Sequence, residues 1–227
     1  MNALEWSRID WFPVRLSFQV ATIATVIALA IGISCGWLLA RKRFWGKEWL
    51  DSFITLPLVL PPTVLGYYLL VLLGNRSPVG QFLQNTFGIR LTFTVTAAVI
   101  AATIHALPLL IKAVRAAFEQ VPAQLEQASR LLGASEWRVF FTITLPLGGR
   151  TVLAGTVLAF ARALGDFGVT IMIAGNIPGK TQTAAVAIYD AVQAGKDAQA
   201  FTMVLTVSIL ALLVLYVSNR LGTRAFS

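Results

Sequence analysis

LSFQVATIATVIALAIGISCGWLLA, residues 16–40, passes through a whole bilayer's worth of chain without one charged residue. Roughly 20 predominantly apolar residues suffice to cross. Working outward, four further stretches have similar length and character: residues 52–75, 91–111, a less pure one at about 151–174, and 198–219. Of the five, only 151–174 contains charged side chains. The composition agrees, with 57% hydrophobic and 12% charged residues and a mean hydropathy of +0.75, where soluble domains carry about one quarter charged residues. A chain of 227 residues cannot hide so much apolar length in a water-soluble core. The expected fold is therefore all-α: a single polytopic membrane domain, residues 1–227, with about five transmembrane helices, or six.

The start, MNALEWSRID, has neither a basic leader region nor a small-residue cleavage site, so the first span is expected to be retained. Cys35 lies within that span and carries no disulfide reading. Basic residues of short loops stay on the cytoplasmic side. Taken alternately, the larger set is Arg41, Lys42, Arg43 and Lys47, then Lys112, Arg115, Arg130, Arg138 and Arg150, then Arg220 and Arg224. The smaller set is Arg8, Arg15, Arg76, Arg90, Lys180 and Lys196. This places the N-terminus outside and the C-terminus in the cytoplasm. The formal charge of +8 then reflects topology and anionic headgroups, and no nucleic acid partner follows from it.

The segment between the third and fourth spans, residues 119–146, therefore faces the cytoplasm. Within it EQASRLLGASEWRVFFTITLP, residues 126–146, is the most water-compatible run of the chain. Residues 123–132 favour helix, Gly133 suits the left-handed position that ends one, and Ser135 can cap a second. Pro146 limits how far that second helix runs before the next span. The apolar residues Trp137, Val139, Phe140, Phe141 and Ile143 make no single stripe. On local pattern alone this is either an amphipathic connector on the headgroups or a docking element.

The same stretch resembles the E-A-A loop of ABC-transporter permeases of the importer class, which reads E-A-A, three variable residues, G, nine variable residues, then I-x-L-P. Gly133, Ile143, Leu145 and Pro146 match it in place, while Gln127, Ala128 and Ser129 occupy the E-A-A frame with Glu126 one place earlier. The resemblance implies a short helix that docks on a separate ATP-hydrolysing subunit, two copies of each chain, and an extracytoplasmic binding protein that delivers the substrate. It also implies residence in a bacterial inner membrane. ARALGDFGVTIMIAGNIPGKTQT, residues 161–183, and PLVLPPTVLGYYLL, residues 57–70, further resemble the molybdate permeases. That likeness implies a tetrahedral oxyanion, molybdate with tungstate also accepted, carried by a homodimer; sulfate or thiosulfate and tungstate permeases are the alternatives.

No catalytic residue, metal site or cofactor is expected: there are no paired catalytic carboxylates, no nucleophile with a base and no metal-ligand cluster. AGNIPGKT, residues 174–181, ends like a phosphate-binding loop, yet Ala174 stands where that loop needs glycine and a span rather than a strand precedes it. Within the spans, Arg162 and Asp166 are spaced to share a helical face. They either belong to the translocation pathway, where a cation would ease an oxyanion across, or cancel one another as a locking pair. His105, before Ala106-Leu107-Pro108, either hydrates the pathway or packs with a hydrogen bond beside a proline kink. If these three were coupling groups, the chain would instead be an ion-coupled secondary carrier, a class that often shows an internal repeat; the two halves share no repeated motif. Pro57, Pro61 and Pro62 place the second span in the interior, since freed carbonyls need protein or water around them. Residues 183–195 are too short to cross and read as a re-entrant or interfacial helix on the outer side, with Tyr189 at the interface and Asp190 facing water or the pathway.

Overall fold

Pro13 sits in the first turn of α1 (Phe12–Arg41), where no N–H is needed, and the Phe12 N–H donates to Asp10 Oδ1 at 2.9 Å. From there Leu16, Val20, Ala24, Ala28, Gly32 and Gly36 fall four residues apart and are all buried, one face of one helix. That face meets α5 (Val95–Glu119). A Cβ at Gly36 would come 2.6 Å from Val114 Cγ1, and one at Gly32 3.1 Å from Leu110 Cγ. In hydrocarbon no hydrophobic force draws helices together, so close backbone approach through small residues supplies the packing instead.

The computed structural model describes residues 10–224. Among these the regular elements are helices: α1, α2 (Lys47–Val59), α3 (Pro62–Leu73), α4 (Pro78–Phe87), α5, α6 (Ala123–Leu131), α7 (Glu136–Leu164), α8 (Gly168–Ala174), α9 (Ala184–Gln193) and α10 (Asp197–Arg224). Four of them, α1, α5, α7 and α10, are long and apolar enough to cross a membrane, five spans if α2 and α3 count as one. Helix α5 is the centre: 67% of its apolar window is buried, against 33% for α1 and less for α7 and α10. On its other side α7 approaches just as closely, for a Cβ at Gly155 would lie 2.4 Å from Ala113 Cβ. The reading of the first nine residues falls outside the described part, as do residues 225–227.

Three elements depart from expectation. The second span, 52–75, is two helices bent by 111° between Val59 and Pro62. Consecutive prolines remove two N–H donors, and Pro62 forces Pro61 into extended backbone with ψ 136°. Nor is it interior within this chain: α2 has no buried residue, and α3 buries only Leu65, Gly66 and Leu69. The fourth span, 151–174, is instead α7 ending at Leu164, a break at 165–167, and α8. Asp166 makes the break hold, because its Oδ2 accepts from the Thr170 N–H at 3.1 Å and hydroxyl at 2.6 Å and so satisfies the start of α8.

Pro146 does not stop the second loop helix. Residues Phe140–Thr144 form a π-helical turn in which the Leu145 N–H reaches back to the Phe140 carbonyl. This wider turn gives the pyrrolidine ring room, and the helix that begins at Glu136 continues through it to Leu164. At the outer end, α4 was not anticipated; Ser77 caps it by accepting from the Gly80 N–H at 2.8 Å. Helix α9 is short as expected and is tied to α1 by the Ala184 N–H donating to Ser17 Oγ at 2.7 Å.

Candidate functional site

Helix α6 ends by local chemistry. Gly133 takes φ +86°, its N–H donates to the Arg130 carbonyl at 2.9 Å, and the Ala134 N–H reaches the Ser129 carbonyl at 3.1 Å. These two bonds make a Schellman cap. Ser135 then accepts from the Arg138 N–H at 3.4 Å and opens α7. The turn is braced from outside, where Arg130 Nε and Nη2 donate to the two oxygens of Glu136 at 2.6 and 3.1 Å. That hydrogen bonding holds the Glu136 carboxyl below the ordinary glutamate range.

Within the E-A-A frame the side chains divide between two faces. Gln127 and Ala128 are exposed and Ser129 is half-buried. Glu126 turns inward and is only 3% exposed. Its Oε1 accepts from Arg41 Nη2 at 2.6 Å and from Thr144 Oγ1 at 2.7 Å, and Arg130 Nη2 stands 3.7 Å from Oε2. One carboxylate thereby joins the end of α1, the middle of α6 and the π-turn of α7. Of the I-x-L-P residues, Ile143 and Leu145 are half-buried and Pro146 is exposed; the variable position between them, Thr144, makes the bond to Glu126. Arg41 and Thr144 were not singled out from the sequence. Thr144 stood under a variable letter of the pattern, and Arg41 lies 85 positions from Glu126. The outward surface of the loop is apolar for a water-facing segment, with Leu131 88%, Leu132 89% and Trp137 75% exposed.

The three ionisable residues of the spans do come together. His105 and Asp166 are each 3% exposed, and His105 Nδ1 lies 2.8 Å from Asp166 Oδ1. Arg162 Nη2 contacts His105 Nε2 and stands 3.0 Å from Nδ1. Among the described ion pairs Arg162 and Asp166 do not bridge directly; the imidazole lies between them. Asp166 has left the helix that carries Arg162, because α7 has already ended at Leu164. At the outer end Asp190 is exposed and accepts from Asn176 Nδ2 at 3.3 Å and Gln182 Nε2 at 3.4 Å. It pins the loop 174–181, which has Gly175 and Gly179 at positive φ and follows a helix, not a strand.

The described residues form a bundle of helices carrying a capped helix-turn-helix on one end. The chain belongs to the binding-protein-dependent transport system inner membrane component family, which matches residues 20–226. It is a transport subunit of the ABC importer kind, in which ATP hydrolysis belongs to a separate chain. It is similar to the molybdenum transport system permease protein ModB of Escherichia coli K12, 47% identical over 214 residues, covering 94% of this chain and 93% of that protein. A putative molybdenum transport system permease protein of Bacillus subtilis is 41% identical over 204 residues, 90% of each chain. A probable sulfate transport system permease protein of Chlorella vulgaris is 34% identical and covers 78% of this chain and 66% of its own. In fold, the chain is similar to the inward-facing MetNI methionine ABC transporter, with a TM-score of 0.76, 16% identity and 99% of each chain covered.

Proposed function

We propose that this chain is the permease subunit of an ATP-driven importer of molybdate, with tungstate accepted as a near-isostere. The observation that carries it is the 47% identity to a molybdenum permease along nearly the whole of both chains, against 34% over a shorter stretch for a sulfate permease. The chain works as a homodimer, with two ATPase subunits docked on its two loops and an extracytoplasmic binding protein supplying the anion. Docking is by the outward face of α6 and its turn, from Gln127 and Ala128 to Leu131, Leu132 and Trp137. Glu126 holds that face against the bundle rather than touching the ATPase.

The end bearing α6 is cytoplasmic. Arg41, Lys112, Arg115 and Arg130 gather there through Glu126 and Asp51, as the positive-inside rule requires. The N-terminus is then outside, and Arg162, with His105 and Asp166, borders the path of the anion. Deleting the chain in its host is expected to abolish high-affinity uptake of labelled molybdate and leave sulfate uptake intact. The reverse pattern assigns the chain to sulfate.

A further inference from the structure

The charge-free run of α1 stops at Ala40, and RKRFWGKEW, residues 41–49, follows at once. Trp45 and Trp49 stand exposed, and indoles so placed mark the level of the lipid headgroups. At the same level the last turn of α1, α6 and the start of α7 enclose an open cleft of about 500 Å³. Its charged lining is Arg41, Lys42 and Arg130 against Glu126 and Glu136, three cations against two carboxylates. Both carboxylates are taken: Glu126 Oε1 accepts from Arg41 and Thr144, and the two oxygens of Glu136 accept from Arg130. Lys42 is left over. It has no carboxylate among the described ion pairs, and its Nζ stands 5.8 Å from the centre of the Trp37 ring. Trp37, Ala40 and Ala123 give the same cleft an apolar side.

We propose that this cleft holds the headgroup of an anionic phospholipid, its phosphate oxygens on Lys42 and its glycerol backbone against Trp37, Ala40 and Ala123. A basic group just beyond a span is drawn to anionic lipid, and here the bilayer brings the anion to the mouth of the cleft. A free oxyanion would meet the ammonium and leave the apolar side uncovered, whereas a phosphate diester covers both. Arg43 and Lys47, with Glu48 beside them, lie in the same segment outside that lining and add one net positive charge to the surface around it. A lipid so held ties the end of α1 and α6, already joined through Arg41 and Glu126, to the membrane surface. The inference needs only that α1 spans a membrane, whatever anion the chain transports.

The test places the assembled transporter in nanodiscs of phosphatidylcholine, with or without phosphatidylglycerol, and reads trace acylation of its lysines by mass spectrometry. Phosphatidylglycerol is expected to slow acylation of Lys42 about fivefold, the weight of one Lys beside an anionic surface, and to slow Lys47, Lys180 and Lys196 by less than half as much. Inorganic phosphate added to phosphatidylcholine discs is expected to protect none of them. Equal slowing at all four lysines reduces the effect to the general potential of the surface. Protection of Lys42 by inorganic phosphate makes the cleft a site for a free anion, and a Lys42 already shielded in phosphatidylcholine discs gives it to the docked ATPase. Each of these overturns the proposal. In the same discs the immobilised fraction of spin-labelled phosphatidylglycerol is expected to fall in Lys42→Gln and to hold in Lys42→Arg and in Arg43→Gln, which removes the same charge one residue outside the cleft. No fall in Lys42→Gln, or an equal fall in Arg43→Gln, overturns it as well.

Discussion

Glu126→Ala would leave the Thr144 hydroxyl, 1% exposed, without its acceptor and the Arg41 guanidinium, whose side chain is 17% exposed, with only the Val121 carbonyl at 3.4 Å. Breaking a buried pair by removing one member costs about 3–5 kcal/mol, and the partial exposure of Arg41 puts this case at or below the lower end. Glu126→Gln keeps an acceptor for both and is expected to cost less. Thermal unfolding of the purified transporter checks the order, and equal melting of Glu126→Ala and wild type would show that the carboxylate contributes nothing. Gln127→Ala, one residue on and exposed, is expected to stay within about 0.5 kcal/mol of wild type with uptake little changed. A Cβ at Gly133 would meet no atom within 4 Å, so the demand is conformational rather than steric, about 1–2 kcal/mol for an ordinary residue in the left-handed region. Coupling should therefore survive Gly133→Asn, weaken with Gly133→Ala and fail with Gly133→Val. Unchanged uptake and ATPase stimulation in Gly133→Val would reduce the loop to a connector.

Among the elements, α2 is held to the bundle by charge rather than by burial. It buries no side chain, and Asp51 fastens it to α5 through Lys112 Nζ at 2.9 Å and Arg115 Nη1 at 3.2 Å. Asp51→Asn is expected to broaden the distance distribution between spin labels on α2 and α5 while leaving that between α1 and α5 narrow; two equally narrow distributions would show that lipid contact alone holds α2. The close crossing of α5 and α7 is the opposite case. Gly155→Val drives side-chain atoms into Ala113 and should lower stability by about 1–3 kcal/mol, read as a fall in melting temperature. The helix-turn-helix around Gly133 and Ser135 was legible because a cap is built from neighbours in sequence. The direction of α3 was not, since two prolines announce a break but not its angle. Trp137, Val139, Phe140, Phe141 and Ile143 made no stripe because Val139, Phe140 and Phe141 are consecutive and point three ways around any helix. His105, Arg162 and Asp166 were recognisable as costly residues to place in a span. Their order, with the imidazole in the middle, depended on α7 ending before Asp166, which no local signal gave.

For the molecule as a whole, apolar side chains as large as Trp49, Phe53, Tyr67 and Tyr68 lie exposed along α2 and α3, to be covered by lipid or by a second copy. The proposed homodimer predicts that a single cysteine introduced on α3, in a Cys35→Ser background, cross-links this chain to itself; recovery only with a different permease chain would sink the symmetric pair. The π-turn has a mechanical consequence at this scale. Helix α7 has 29 residues, about 43 Å at 1.5 Å per residue, so it outreaches a hydrocarbon core of about 30 Å and carries the capped turn at Ser135 and Arg162 on one shaft. Phe140–Thr144 is where that shaft holds a spare residue. Deleting Phe141 should let the coil close to ordinary pitch with its two ends nearly unrotated, because the wider turn already absorbs one extra residue. Such a protein is expected to bind its ATPase and transport normally, whereas deleting Leu153 from the ordinary coil beyond the turn rotates the far end by about 100° and should abolish uptake; retained uptake there would show that the two ends of the shaft need not stay in phase.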